Sequence, residues 1–291
     1  MPKRIPFLPL VVLFSLWSVA QPATGQALIP HTLQLDSAKL EQQGLSLAQE
    51  AAQLAQFQQF DLALSRAQLA TQLAPKSYQV WALLGSLYLQ DNQVDKGVTA
   101  LKQANSLEQK NAAILFALGS AYFQQAKYAD SVNHIQAGLQ VKPNVPGALF
   151  DLGNAYYKLN QFPAAIASYE KAVAQDAKFW PAINNIGLIK YETGNIDEAI
   201  RQWRSAAALD DKAAEPRLAT AVALYAKGDR EQGVAIGETA LKLDNRYGDL
   251  KFLKENLWGD RLLADTQKLL QTPRIQAAIA QDKPTRARSA Q

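Results

Sequence analysis

From Gly44 to Tyr247 the chain repeats itself every 34 residues, six times and without an insertion (44–77, 78–111, 112–145, 146–179, 180–213 and 214–247). With places numbered 1 to 34 in each block, place 8 reads Ala51, Gly85, Gly119, Gly153, Gly187, Ala221. Place 20 reads Ala63, Gly97, Ser131, Ala165, Ala199, Gly233, and place 27 reads Ala70, Ala104, Gly138, Ala172, Ala206, Ala240. Three columns holding only Ala, Gly and Ser mark positions where two backbones approach closely, because a larger side chain would hold them apart. Place 11 is mostly large (Leu54, Tyr88, Tyr122, Tyr156, Lys190, Leu224) and is expected to fill the space beside the small columns, with Lys190 the odd member.

Each block reads as helix, short turn, helix. Turn-forming pairs fall at places 15 and 16, as in Asn92-Gln93, Asn160-Gln161, Gly194-Asn195 and Gly228-Asp229. Pro75 and Pro143 end the second helix of their blocks, since proline has no N–H to continue the ladder. One helix pair cannot bury its apolar face alone, and stacked copies can. The fold class that follows is all-α: a right-handed solenoid of six helix pairs, closed by a C-terminal capping helix. Residues 28–43 form a linker and lead-in helix, and the apolar spacing of Leu250, Leu253, Leu257 and Trp258 assigns 248–280 to the cap.

This pattern resembles the tetratricopeptide repeat family. The likeness rests on Trp81-x-x-Leu84-Gly85-x-x-Tyr88, on Asn154-Ala155-Tyr156-Tyr157 and on the small-residue columns. It implies that first helices line a concave groove whose places 2, 5, 9, 12 and 13 meet a protein partner. Those places, with place 6 beside them, supply the candidate contacts Phe116, Phe123, Phe150, Asn154, Tyr157, Asn184, Asn185, Leu188, Tyr191 and Tyr225. The aromatic members either pack against neighbouring helices or floor a groove that a partner covers. One variant of the family grips the carboxylate tail of Hsp70/Hsp90 with two Asn and three cations. Asn154 and Asn185 match the pair, but Phe150, Glu215 and Ala219 stand in the cation places, so that tail is not expected as a ligand. The two Asn are instead expected to hold the backbone of another peptide or helix.

The ends differ from the body. Lys3 and Arg4 precede the apolar run Ile5–Ala20, followed by Ser18-Val19-Ala20 at its small-residue end, as in a signal peptide or a membrane anchor over residues 1–27. No Lys or Arg follows until Lys39, so the repeats are expected across the membrane, in a periplasm or lumen. The 281–291 end is a basic tail. Blocks one to six hold 19 basic and 19 acidic residues, so the net +4 sits at the ends and the body offers no clustered basic face for nucleic acid.

With no cysteine, thiolate chemistry is excluded, and His31 and His134 lie too far apart in sequence to suggest a shared site. No phosphate loop, metalloprotease motif or nucleophile elbow occurs, so neither cofactor nor catalysis is expected. The expected function is that of a non-enzymatic interaction scaffold or assembly factor. Alternatives are a membrane-anchored chaperone for one client and an adaptor in envelope polysaccharide assembly. The segment LKENLWGDRLLADTQKLL (253–270) is similar to cyanobacterial repeat proteins of photosynthetic-membrane biogenesis, which implies a client such as protochlorophyllide oxidoreductase.

Overall fold

The computed structural model describes residues 36–281, and the leader, His31 and the basic tail past residue 281 lie outside the described residues. The first helices of the six blocks are α1 (Ser37–Gln56), α3 (Tyr78–Gln90), α5 (Ala112–Gln124), α7 (Pro146–Lys158), α9 (Trp180–Glu192) and α11 (Ala214–Lys227). They alternate with the second helices α2 (Phe60–Leu73), α4 (Val94–Leu107), α6 (Tyr128–Val141), α8 (Phe162–Gln175), α10 (Ile196–Leu209) and α12 (Arg230–Leu243). A 3₁₀ turn (Asn245–Gly248) leads into α13 (Leu250–Glu255), α14 (Asp260–Leu270) and α15 (Pro273–Gln281). Every described element is helical, and each helix packs on its hairpin partner and on the next block, which makes the six blocks a solenoid.

Every hairpin turns in the same way. Place 15 (Gln58, Asn92, Ala126, Asn160, Gly194, Gly228) lies in the left-handed region, with φ between 57° and 103°. The N–H of place 16 then donates to the carbonyl of place 11 over 2.8–3.0 Å. This is the helix ending in which one left-handed residue returns the chain to satisfy an orphan carbonyl. It explains Lys190, because the turn uses only the backbone of place 11.

The small column at place 8 has a different partner from the one expected. A Cβ built on Gly85, Gly119, Gly153 or Gly187 would sit 2.4–2.6 Å from Leu101, Ile135, Tyr169 or Trp203 respectively, and all four are place 24. Where place 8 is Ala51 or Ala221, place 24 shrinks to Ala67 or Gly237. Place 11 fills the joint between blocks instead: Tyr88 and Tyr156 accept hydrogen bonds from Gln68 and Gln136 of the preceding blocks, each at 2.8 Å. The matched pair inside each hairpin is thus place 8 with place 24.

The two ends close by different means. Places 3, 7 and 10 of later blocks are buried against the preceding block, as with Val80, Leu84 and Leu87. In block one the same places are Ser46, Glu50 and Gln53, all exposed, so that face is polar and needs no neighbour. At the other end, α15 lies on α12, but α14 turns back across α9 and α11. The expected cap over block six is therefore only half of what residues 248–280 build. Gly237 makes this possible: the space its missing side chain leaves is filled by Ile275 of α15 and Leu269 of α14.

Two expectations follow. Gly187→Ala places a methyl carbon 2.4 Å from the fully buried Trp203 ring and should cost about 3 kcal/mol in urea unfolding. Gly147→Ala, with nothing within 4 Å of its Cβ, should be neutral or slightly stabilising and serves as control. Ala126→Gly, exposed at φ 57°, should raise stability by about 1 kcal/mol, since only glycine enters that region freely.

Candidate functional site

The concave side, formed by the first helices, is divided by α14. Its leucines turn inward, with Leu262 and Leu269 fully buried and Leu270 nearly so. Its N-terminus needs an acceptor for unpaired N–H groups, and Glu192 at place 13 of α9 supplies one. The Glu192 carboxylate accepts from the N–H of Arg261 at 3.2 Å and of Leu262 at 2.9 Å. Gly259 permits the approach, because a Cβ there would lie within 2.6 Å of three Glu192 atoms. Tyr191 donates to Asp265 at 2.7 Å, and the Arg261 guanidinium lies 5.4 Å from the centre of the Tyr191 ring.

The second latch is Glu215. It stands at place 2 of α11, where a tail clamp would need a cation, and it is 8% exposed. Trp258 Nε1 donates to one carboxylate oxygen at 2.9 Å and the Tyr247 hydroxyl to the other at 3.5 Å. Burial pushes the carboxyl up to about 6, against the opposing pull of the bonds from Trp258, Asn184 and Tyr247. A buried acid thus ties the C-terminal segment to the groove wall.

The ten candidate residues are consequently not one open floor. Asn184, Asn185, Leu188 and Tyr191 are buried, with exposures of 1%, 6%, 1% and 0%, on the α9 face that α14 crosses. Asn185 Nδ2 donates to Asn154 Oδ1 at 3.0 Å, and the Tyr169 hydroxyl donates to the same oxygen at 2.8 Å. Asn185 and the Asn154 oxygen are thus engaged within the chain, and of the pair only the Asn154 amide nitrogen is left for a partner. Tyr157 is buried beside Phe162, and burial, then Glu192 and Asp260, holds its phenol well above the usual range. Tyr225 is partly buried beside Gly233, with the Arg230 guanidinium 5.7 Å from its ring centre.

Three aromatics remain on the stretch that α14 leaves open, each partly buried. Phe116 reaches over Gly138, Phe123 packs on Tyr128 at 5.3 Å between ring centres, and Phe150 packs on Tyr169 and Phe179 at 5.7 and 5.4 Å. Each braces its own hairpin, and each stays partly exposed. Sequence reasoning passed over Asp151, at place 6 of α7. Its Oδ2 accepts from Ser120 Oγ at 3.4 Å, and burial pushes its carboxyl up to about 6 although that bond pulls the other way. Ser120, Phe123, Gln124, Asp151 and Asn154 border a cleft of about 210 Å³. That is below the range of small-molecule sites, roughly 300–1,000 Å³, and suits one inserted side chain. Further along α7, Lys158 is lowered by desolvation and then by the nearby Lys254. His134 lies apart from this stretch, its Nδ1 2.8 Å from the Asp130 carbonyl oxygen and its ring 4.9 Å from Tyr122.

Comparison with known proteins agrees with this architecture. Tetratricopeptide repeat models match residues 78–111, 116–178 and 184–247. Among solved structures, MamA is similar over 56% of this chain and 95% of its own, at 23% identity and TM-score 0.53. PilF of Pseudomonas aeruginosa covers 75% of this chain and 98% of its own, at 15% identity and TM-score 0.62. YrrB, described as a repeat protein with an unusual peptide-binding site, covers 69% and 97%, at 17% identity and TM-score 0.51. Identities this low establish the fold alone. No curated protein sequence matches significantly.

The Glu215 latch makes a pH prediction. Its folded carboxyl titrates near 6, above an ordinary 4.5, so the folded state holds the proton more tightly. Its contribution is most favourable below about pH 4.5 and is lost as pH rises through about 6. Glu215→Gln should therefore match the parent near pH 4.5 and gain about 2 kcal/mol over it at pH 7.5, read from urea midpoints at the two pH values.

Proposed function

Because the chain belongs to the tetratricopeptide repeat family, we propose that it works without catalysis, as a scaffold or assembly factor holding a protein partner in the open stretch of its groove. One observation carries this reading. The groove of blocks five and six is already filled, by a helix of the same chain, while the continuous stretch before it keeps aromatic edges and a side-chain-sized cleft uncovered. Partly buried aromatics beside a desolvated polar group are the pattern in which a few anchors supply most binding energy. The contacts we assign are Phe116, Phe123, Phe150 and Asn154, with Asp151 added; Tyr157, Tyr225 and the four buried residues of α9 are left out.

We place the partner at a membrane. Support comes from the charged and apolar run at residues 3–20, which argues for repeats on the far side of it. Among the described residues no helix is long and apolar enough to cross. A narrower role, care of one client such as protochlorophyllide oxidoreductase, draws support from the likeness of residues 253–270. That segment packs inside the chain's own groove, so it speaks for shared architecture more than for a shared client.

The test is cross-linked co-purification from membranes with two variants. Phe123→Ala shortens the floor, and Ala113→Arg crowds it from an exposed place 2. Ala113→Arg should melt within a few degrees of the parent and Phe123→Ala lower but still cooperatively folded, and both should recover at least tenfold less partner. Retention of the partner by both would move recognition off the groove.

A further inference from the structure

Blocks five and six display the kind of ligand this groove accepts. The occupant is a helix, leucine face down, whose N-terminal N–H groups meet an acid of the groove lip and whose Asp265 meets a phenol of the floor. The open stretch of blocks three and four continues the same floor, and its own acid has no such partner. Asp151 is partly buried, accepts only from Ser120, and pairs with no Lys or Arg among the described residues. A carboxylate kept from water without a cation is an unmet demand, costing more than one that is paired.

We propose that the open stretch takes one amphipathic helix of a partner protein, its apolar side on Phe116, Phe123 and Phe150 and a Lys or Arg inserted over Asp151. This rests on the scaffold reading above and narrows its partner. The helix follows from continuity with the seat of α14, whose floor is built of the same places. The cation follows from Asp151 standing in a cleft with room for one long side chain. Lys158, seven residues on and about 10 Å along the same helix, stands near Lys254, and the two repel a second cation there. One basic residue, at one register, is what the groove can accept.

The experiment is selection of a random peptide library displayed on phage against the full chain, with binders screened again on Phe123→Ala. Groove-dependent binders should carry apolar residues at helical spacing and a single enriched Lys or Arg. A synthetic copy of such a binder should lose at least tenfold in affinity on Asp151→Asn, whose melting curve is checked beside the parent. Selection on Asp151→Lys should enrich Asp or Glu at that register, and if this variant does not fold, the Asn arm decides. Binders that need Phe123 but are Pro-rich, or indifferent to Asp151→Asn, overturn the inference and leave the scaffold reading standing. Dimerisation in sedimentation that Phe123→Ala abolishes would overturn it in favour of a second copy. Finding no binder that depends on Phe123 overturns both readings.

Discussion

The contact between places 8 and 24 is the constraint on which the rest of the structure depends. Within a hairpin the first helix supplies a glycine and the second a ring or branched chain, and neither choice works without the other. Gly153 with Tyr169 and Gly187 with Trp203 take this furthest, and both large partners are fully buried. A methyl group added at the glycine collides with the ring, and a small residue at place 24 opens a void unless something enters it. The second case is realised in block six, where Gly237 faces Ala221 and the void is filled from outside by Leu269 and Ile275. The last hairpin is thus built to receive the C-terminal helices, by the same rule that packs the others.

Filling the groove from within has an electrostatic cost. Glu215 is buried and its carboxyl raised, and Glu192 is spent on the N-terminus of α14. Burying a charge is unfavourable unless hydrogen bonds replace water, and here Trp258 and Tyr247 replace only part of it. The apolar seat of Leu253, Leu262 and Leu269, all fully buried, offsets that cost. The polar contacts then set direction and register, since leucines alone would allow α14 to slide. A solenoid whose groove is filled at blocks five and six leaves a shorter stretch of that groove open.

The open stretch shows how one residue can serve two purposes. Phe123 and Phe150 stabilise their hairpins through ring contacts while staying partly exposed, so under the proposed reading truncating them touches both stability and recognition. Asp151 is different, because no packing in the chain requires a carboxylate at that place. Its neighbours at place 6 are Ala117 and Asn185, one apolar and one amide. A charge where the fold does not need one is the more specific pointer to function.

The period, the helix pairs and the hairpin turns were legible in the sequence because they rest on local chemistry. Glycine and asparagine at place 15 admit a left-handed backbone, and Ala or Gly columns declare close approach wherever they recur. The polar outer face of block one was equally plain in Ser46, Glu50 and Gln53. The partner of place 8 was open to view too, in the column Ala67, Leu101, Ile135, Tyr169, Trp203, Gly237, whose size follows place 8 inversely. What only the tertiary structure decided is where α14 lies. Its amphipathic pattern says that it will bury leucines, and nothing local says against which surface, since every block offers a similar one. The choice was made by Gly237, Glu192 and Glu215 acting together across 74 residues of chain from Tyr191 to Asp265. For the same reason the burial of Tyr191 could not be read in advance: it is a groove residue by position, and a core residue because a distant segment of the chain came to lie on it.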